Sequence, residues 1–232
     1  MKGGGFPLSG YKALLFDLDD TLLDRDLAVE KIFSIIVDKY YGDVHHLQRN
    51  EMLEKFKEYD KRDYGNGDKT NVLESLFAEF PPNNRLPASS IQNFWNTYFP
   101  NCFSIDQTTI NMLDTMKQLQ VKVGIITNGL TQRQNAKIRN THLNHWFDTV
   151  IISEEVGLRK PDKRIFELAL QRLQVLPEEA LFVGDDIEKD IGGCQNANIK
   201  GIWFNPKRCK NGTEIEPFAE MDSIARLVNY FT

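Results

Sequence analysis

The sequence predicts an α/β protein: a doubly wound parallel sheet with a long helical segment inserted after its first strand. Three observations lead there. Short apolar runs of strand length recur along the chain, and they lack the polar alternation of a sheet that faces water on one side. From Ile105 onward such runs alternate with stretches whose apolar residues fall at helical spacing, as βαβ units require. Residues 25–103, by contrast, show helical periodicity only.

The first strand is Lys12 to Phe16, KALLF, a run that suits a strand covered on both faces. It ends in carboxylates: Asp17, Asp19 and Asp20 follow directly, and a period of two puts Asp17 and Asp19 on one side with Leu18 on the other. Open α/β sheets bind ligands at that end of their strands. Acids crowded there repel one another unless a cation or a proton-transfer task holds them.

Within the insert, Ile32, Phe33, Ile36, Val37 and Tyr40 mark one helix, and Met52, Leu53 and Phe56 a second. Val72, Leu73, Leu76, Phe77 and Phe80 mark a third; after the Pro-rich break PPNNRLP, Ile91, Phe94, Trp95, Tyr98 and Phe99 mark a fourth. These stripes read as core between helices. Tyr59 to Lys69, YDKRDYGNGDK, is charged, aromatic and Gly-containing, and reads as a loop able to reach over a nearby site, with Tyr59, Lys61, Arg62 and Tyr64 as its contact groups.

After the insert, a helix through Met112, Leu113, Met116 and Leu119 leads to the strand Val121 to Asn128. The expected elements then follow in turn: helix at 131–139, strand at 149–152, helix at 163–173, strand at 181–184, helix at 188–197, strand at 201–204 and a last helix at 221–230. Three strand ends here carry polar groups. Thr127 and Asn128 follow the second strand, Lys160 lies in GLRKPDK ahead of a helix, and Asp185, Asp186 and Asp190 lie in VGDDIEKD.

A chain of 232 residues buries an ample core without covalent staples. Its cysteines, Cys102, Cys194 and Cys209, are odd in number and irregularly spaced, which points to a reducing, cytoplasmic setting. The net charge of -5, without a basic block, speaks against a nucleic-acid polymer as partner. Apolar runs fall short of the roughly 20 residues that span a bilayer, so no membrane association is expected. The Gly-rich start, Met1 to Gly10, reads as a flexible extension. His142 and His145, three apart, have no third soft ligand to complete a zinc site.

DLDDT, Thr127-Asn128-Gly129, Lys160 and DDIEKD, in this order and all at strand ends, resemble the four motifs of the haloacid dehalogenase (HAD) superfamily of phosphotransferases. The resemblance runs from Asp17 to Asp190. It implies a Rossmann-like catalytic core at 1–24 and 104–232 and a helical cap at 25–103. It also implies a Mg2+-dependent phosphomonoester hydrolase that works through an aspartyl phosphate. Asp17 would be the nucleophile and Asp19 the general acid/base, while Thr127, Asn128 and Lys160 would bind the phosphoryl group. Magnesium would be held by Asp17, the backbone carbonyl of Asp19 and Asp185, and Asp190 would orient Lys160 or a magnesium-bound water. Asp20 and Asp186 fall on variable positions and read as solvated or capping residues. Where relatives commonly carry Gly after the last-motif helix, this chain has Asn198, the next best residue for a left-handed helix end.

The acid at position 19 favours phosphate esters over haloalkanoates, because a halide leaves without a proton. The stretch ITNGLTQRQNAKIRNTHLNHWFDTVIISEEVGLRKPDKRIFELAL is similar to bacterial pyrimidine 5'-nucleotidases. The expectation is therefore a nucleoside 5'-monophosphatase, monomeric or homodimeric, acting on a small phosphorylated substrate. The alternatives are a phosphatase of a sugar phosphate or of a small phospho-acid such as phosphoglycolate, and, from another class, a catalytically silent binding protein of the same fold.

Overall fold

The structure, a computed structural model, describes residues 10–232. The expected extension at Met1 to Gly10 therefore lies, apart from Gly10, outside the described residues. Six strands form one parallel sheet: β1 Ala13–Phe16, β2 Lys122–Thr127, β3 Thr149–Ile152, β4 Ala180–Gly184, β5 Lys200–Phe204 and β6 Ala219–Met221. Their order is β3-β2-β1-β4-β5-β6, the strand order of the Rossmann fold. β1 lies between β2 and β4, with Phe16 opposite Ile125 on one side and Val183 on the other. The order reverses there, and a cleft opens beyond the carboxyl ends of the strands.

The apolar run of β1 serves two cores because alternate side chains point to opposite faces. Leu14 and Phe16 join a large cluster that continues without a break into the insert, through Phe33, Phe56, Phe77 and Trp95. Ala13 and Leu15 join a second cluster with Phe166, Leu170 and Phe182 on the other face. Every residue of β1 is fully buried, as the unalternating sequence predicts.

Four helices lie between β1 and the rest of the sheet: α1 Arg25–Tyr40, α2 His46–Arg62, α3 Thr70–Glu79 and α4 Ala88–Tyr98, followed by a 3-10 turn at Phe99–Cys102. Asp24 caps α1 by accepting a hydrogen bond from Leu27 N. The later helices are α5 Gln107–Gln118, α6 Thr131–Asn140, α7 Ser153–Val156, α8 Lys163–Leu173 and α9 Gly193–Asn196. Asn198 stands in the left-handed region at φ 58°, as expected of a residue in place of Gly.

The structure corrects three expectations. The segment at Tyr59 to Lys69 is not all loop, because Tyr59 to Arg62 form the last turn of α2. That helix continues because its buried stripe Met52, Phe56, Asp60 runs on through an acid neutralised by Arg25, which sequence periodicity cannot show. The helix expected at 188–197 is a π-turn, Ile187–Gly192, followed by α9. At the C-terminal end Met221 closes the edge strand β6, and the helix that follows is a 3-10 segment, Ile224–Tyr230.

Candidate active site

Asp17 continues β1 by one residue, its N–H donating to Val183 O across the ladder at 2.9 Å, so the sheet itself fixes where the carboxylate begins. Lys160 Nζ lies 2.5 Å from Asp17 Oδ1 and 2.6 Å from Asp190 Oδ1, a buried bridge between two acids. The lysine is held from behind by Asn128, whose side-chain amide donates to Lys160 O and accepts from Lys160 N, each at 2.9 Å. Asn128 lines the cleft, but both polar atoms of its side chain are engaged by that main chain.

The π-turn brings Asp190 back over the end of β4, where its Oδ2 accepts from Asp186 N at 3.1 Å. This approach requires glycine at position 184: a Cβ there would stand 2.3 Å from Asp190 Oδ2. Asp185 is held by its main chain, with Trp203 Nε1 donating to its carbonyl at 2.8 Å. Asp186 caps the π-turn by accepting from Glu188 N and Lys189 N, which bears out its reading as a capping residue. Asp20 sits half-buried in a turn at φ 59°, and burial followed by the charge of Asp19 pushes its pKa up to about 6.

Carboxylate oxygens of Asp17, Asp185 and Asp190 lie within 4.8 Å of one another. Burial, opposed by Lys160 and reinforced by Asp190, pushes the Asp17 pKa up to about 7. Burial and the charges of Asp17, Asp190 and Asp20 push Asp185 up to about 8. Acids raised by burial and by one another's charge in this way call for positive charge, and an all-oxygen donor set suits a hard divalent cation such as magnesium. Both oxygens of Asp190 face a donor, Lys160 and Asp186 N, whereas Asp17 meets Lys160 through Oδ1 alone, which leaves Asp17 Oδ2 and the Asp185 carboxylate to ligate.

Asp19 faces a different neighbourhood. Lys137 Nζ lies 2.7 Å from each of its oxygens and Gln134 Nε2 donates to it at 3.1 Å. Burial acts to raise the pKa of this carboxyl, but the charge and hydrogen bond of Lys137, with Gln134, outweigh it and hold Asp19 below the usual carboxylate range. Gln134 also donates to Thr127 Oγ1 at 2.6 Å, tying the end of β2 to Asp19. Sequence reading missed Gln134 and Lys137. Three of the four buried residues of α6 are polar (Arg133, Gln134 and Lys137, with Ile138), and a helix whose inward stripe is polar was a legible signal.

These groups open into a cavity of about 620 Å³ whose far wall comes from the insert: Arg25, Tyr64, Gly65, Gly67, Lys69 and Trp95. Arg25 pairs with buried Asp60 at 2.6 Å and lies 5.0 Å from the ring centroid of Tyr64. Of the contact groups expected on the insert, Tyr64 reaches the cavity; the others do not. Arg62 pairs with Glu58 on the outer face of α2 and Lys61 is exposed, because the turn they occupy points them outward, while Tyr59 packs part-buried against the core and donates its hydroxyl to Glu79. His142 and His145 lie outside the cavity, and among the described residues the three aspartates are the one metal-competent cluster of histidine, cysteine and acidic side chains.

This strand order, with four motif positions converging beyond β1, β2 and β4, defines a Rossmann-like hydrolase core. The family model for haloacid dehalogenase-like hydrolases matches residues 11–198, and the chain belongs to that family. A glyceraldehyde 3-phosphate phosphatase of Methanothermobacter thermautotrophicus is 30% identical over 94% of this chain and 99% of its own. Pyrimidine 5'-nucleotidase PynA of Streptococcus pneumoniae is 28% identical over 94% of each chain. Among solved structures, the magnesium-bound orthorhombic form of the HAD-hydrolase YfnB of Bacillus subtilis superimposes with a TM-score of 0.74 at 22% identity, covering 96% of this chain and 99% of that one. No helix among the described residues is long and apolar enough to cross a membrane.

Proposed function

We propose that the chain is a magnesium-dependent phosphomonoester hydrolase that forms an aspartyl phosphate on Asp17. The observation that carries this is the division of the two acids: Asp17 bridged to Asp190 by Lys160, and Asp19, two residues on, turned to Lys137 and Gln134. Asp17 attacks phosphorus in line and the alcohol leaves; water then hydrolyses the acyl phosphate, returning the carboxylate and releasing inorganic phosphate. Asp19 delivers the proton to the leaving oxygen and later takes one from the attacking water. An incoming phosphoryl group competes for Lys137, which loosens that lysine's hold on Asp19 and lets the carboxyl take up the proton it must give. Lys160 and Thr127 meet the phosphoryl oxygens, Asn128 acts by fixing the main chain of Lys160, and Asp190 orients its ammonium. Asp17, Asp185 and the main-chain carbonyl of Asp19 would hold a magnesium ion, which would supply the charge that offsets repulsion between carboxylates and phosphate.

In this reading residues 25–103 are a cap over the catalytic core at 1–24 and 104–232, supported by a cavity lined from both. The substrate is a small phosphorylated molecule. The likeness to PynA supports a nucleoside 5'-monophosphate, and the equally extensive likeness to the glyceraldehyde 3-phosphate phosphatase supports a small sugar phosphate; a small phospho-acid stays an alternative. Against a silent binder stands the presence in one cleft of Asp17, Asp19, Thr127, Lys160 and Asp185. A phosphate-release screen over nucleotides, sugar phosphates and phospho-acids, run with magnesium and with excess chelator, tests the proposal. Turnover in magnesium that stops in chelator is expected. Full turnover in chelator removes the metal, and no release from any ester returns the silent binder.

A further inference from the structure

Exposed Arg159 apart, which also lacks an ion pair among the described residues, the cations lining the cavity differ in one respect. Arg25, Lys69, Lys137, Lys160 and Lys189 each pair with a carboxylate. Arg133 is nine-tenths buried and lines the same cavity, yet among the described residues it forms no ion pair, and the one carboxylate whose charge reaches it, Asp68, stands off on the exposed segment ahead of α3. Its Nε donates to Asn96 Oδ1 at 2.7 Å and its Nη2 to Gly67 O at 2.5 Å, both neutral acceptors supplied by the insert. They fix the plane of the guanidinium without cancelling its charge, and Nη1 makes no hydrogen bond to a described residue. Asn96 is itself held by Gln92, whose side-chain oxygen accepts from Lys69 N at 2.8 Å, so the mount is built rather than incidental.

A buried charge with no ion-pair partner is costly: burial pushes the pKa of Arg133 down, and the more distant charge of Asp68 offsets this only in part. A carboxylate or phosphoryl group that accepts from a guanidinium edge supplies the missing charge and two parallel hydrogen bonds. Arg133 adjoins Gln134, which touches both Asp19 and Thr127, and its anchors lie on the cap side, where the departing alcohol must be accommodated. We infer that the alcohol released by this enzyme carries a second anionic group, a carboxylate or another phosphoryl, and that Arg133 binds it. This rests on the phosphomonoesterase reading and deepens it, favouring phospho-acids and bisphosphates over nucleoside monophosphates.

The test compares substrates matched except for charge: 3-phosphoglycerate with glycerol 1-phosphate for a carboxylate, fructose 1,6-bisphosphate with fructose 6-phosphate for a phosphoryl, and uridine 5'-monophosphate as a neutral-alcohol control. p-Nitrophenyl phosphate reports the chemistry alone. The parent protein should favour the anionic member of at least one pair by about 10- to 100-fold in kcat/KM, the worth of a hydrogen-bonded charge, and the pair affected identifies the anion. Arg133→Gln should erase that preference and Arg133→Lys should restore part of it, with p-nitrophenyl phosphate turnover changed little in both. Neutral members turned over as well as or better than their anionic partners by the parent protein, which needs no variant to fold, overturns the inference. So does an Arg133→Gln protein that keeps the preference. Failure to hydrolyse p-nitrophenyl phosphate with magnesium would instead strike the phosphatase reading itself.

Discussion

At the floor of the cavity Asp17, Asp185 and Asp190 crowd around Lys160, and Asp17 and Asp185 are raised toward protonation as a result. On the opposite side Arg25 and Lys69 of the insert, with Arg133 of α6 tied to it, find ion-pair partners among the described residues only in Asp60 and Asp63, Asp68 acting on Arg133 from farther off. The floor is short of positive charge and the roof is short of negative charge. In the reading proposed above, a divalent cation would answer the first need and an anion on the substrate the second, and the difference would separate the machinery of reaction from that of choice. The two are also built differently. Floor groups are fixed by the sheet and by Gly184, whereas roof groups hang on side-chain and main-chain bonds across helices of the insert.

The largest effects should come from the two acids at the end of β1, and loss of the nucleophile at the floor should fall on every ester alike. Asp17→Asn removes the attacking oxygen anion and should take phosphate release to background on all substrates. Asp19→Asn keeps the nucleophile and loses the proton shuttle, so a loss of about 10² to 10⁴ is expected on alkyl esters, with aryl esters spared in the first step. Acid-quenched mass spectrometry of Asp19→Asn with an aryl phosphate should find one phosphate on the peptide bearing Asp17. Finding none, with Asp17→Asn still active at the parent rate, breaks the division between the two acids.

A smaller loss should follow from the support beneath the floor. Gly184→Ala sets a Cβ 2.3 Å from Asp190 Oδ2, which must move and take its hold on Lys160 with it. Disturbing such supporting contacts typically lowers activity about 10- to 100-fold, here with magnesium affinity also reduced. Steady-state rates near those of the parent would show that the approach of Asp190 to β4 is not needed for chemistry.

The smallest expected effect is on stability and concerns charge alone. In chelator, the folded protein holds protons on Asp17 and Asp185 up to about pH 7 and 8, while the unfolded chain releases them near the ordinary 3.8. The stability these groups contribute is thus complete below that ordinary value and lost as pH rises through 7 and 8. Tm measured in chelator should fall over that range, and magnesium, which favours the ionised acids, should flatten the slope. At the roof Arg25 is held above its usual pKa by Asp60 against the effect of burial, and burial raises that of Tyr64, so neither titrates in the window. An equal slope in Asp185→Asn and parent would place the titrating groups elsewhere.

The sequence by itself determined the sheet and the floor. A β1 of unbroken apolar residues ending in two acids has one arrangement in a parallel sheet, and the αβ alternation after residue 105 brings the other motif ends to the same edge. Asn198 after the last-motif helix is a local backbone requirement, legible without a fold, whereas the need for glycine at 184 appears only with Asp190 folded back over β4. What only the tertiary structure decided is which polar side chains pair across that edge. Gln134 and Lys137 lie more than a hundred residues from Asp19 and meet it because β2 adjoins β1 and α6 follows β2. The outward turn of Arg62, the continuation of α2 through Asp60, and the unpaired guanidinium of Arg133 depend on partners in other helices. Local periodicity carries no record of such partners, since charge pairing is set by distance in space and hydrophobic burial by position along the chain's own helix or strand.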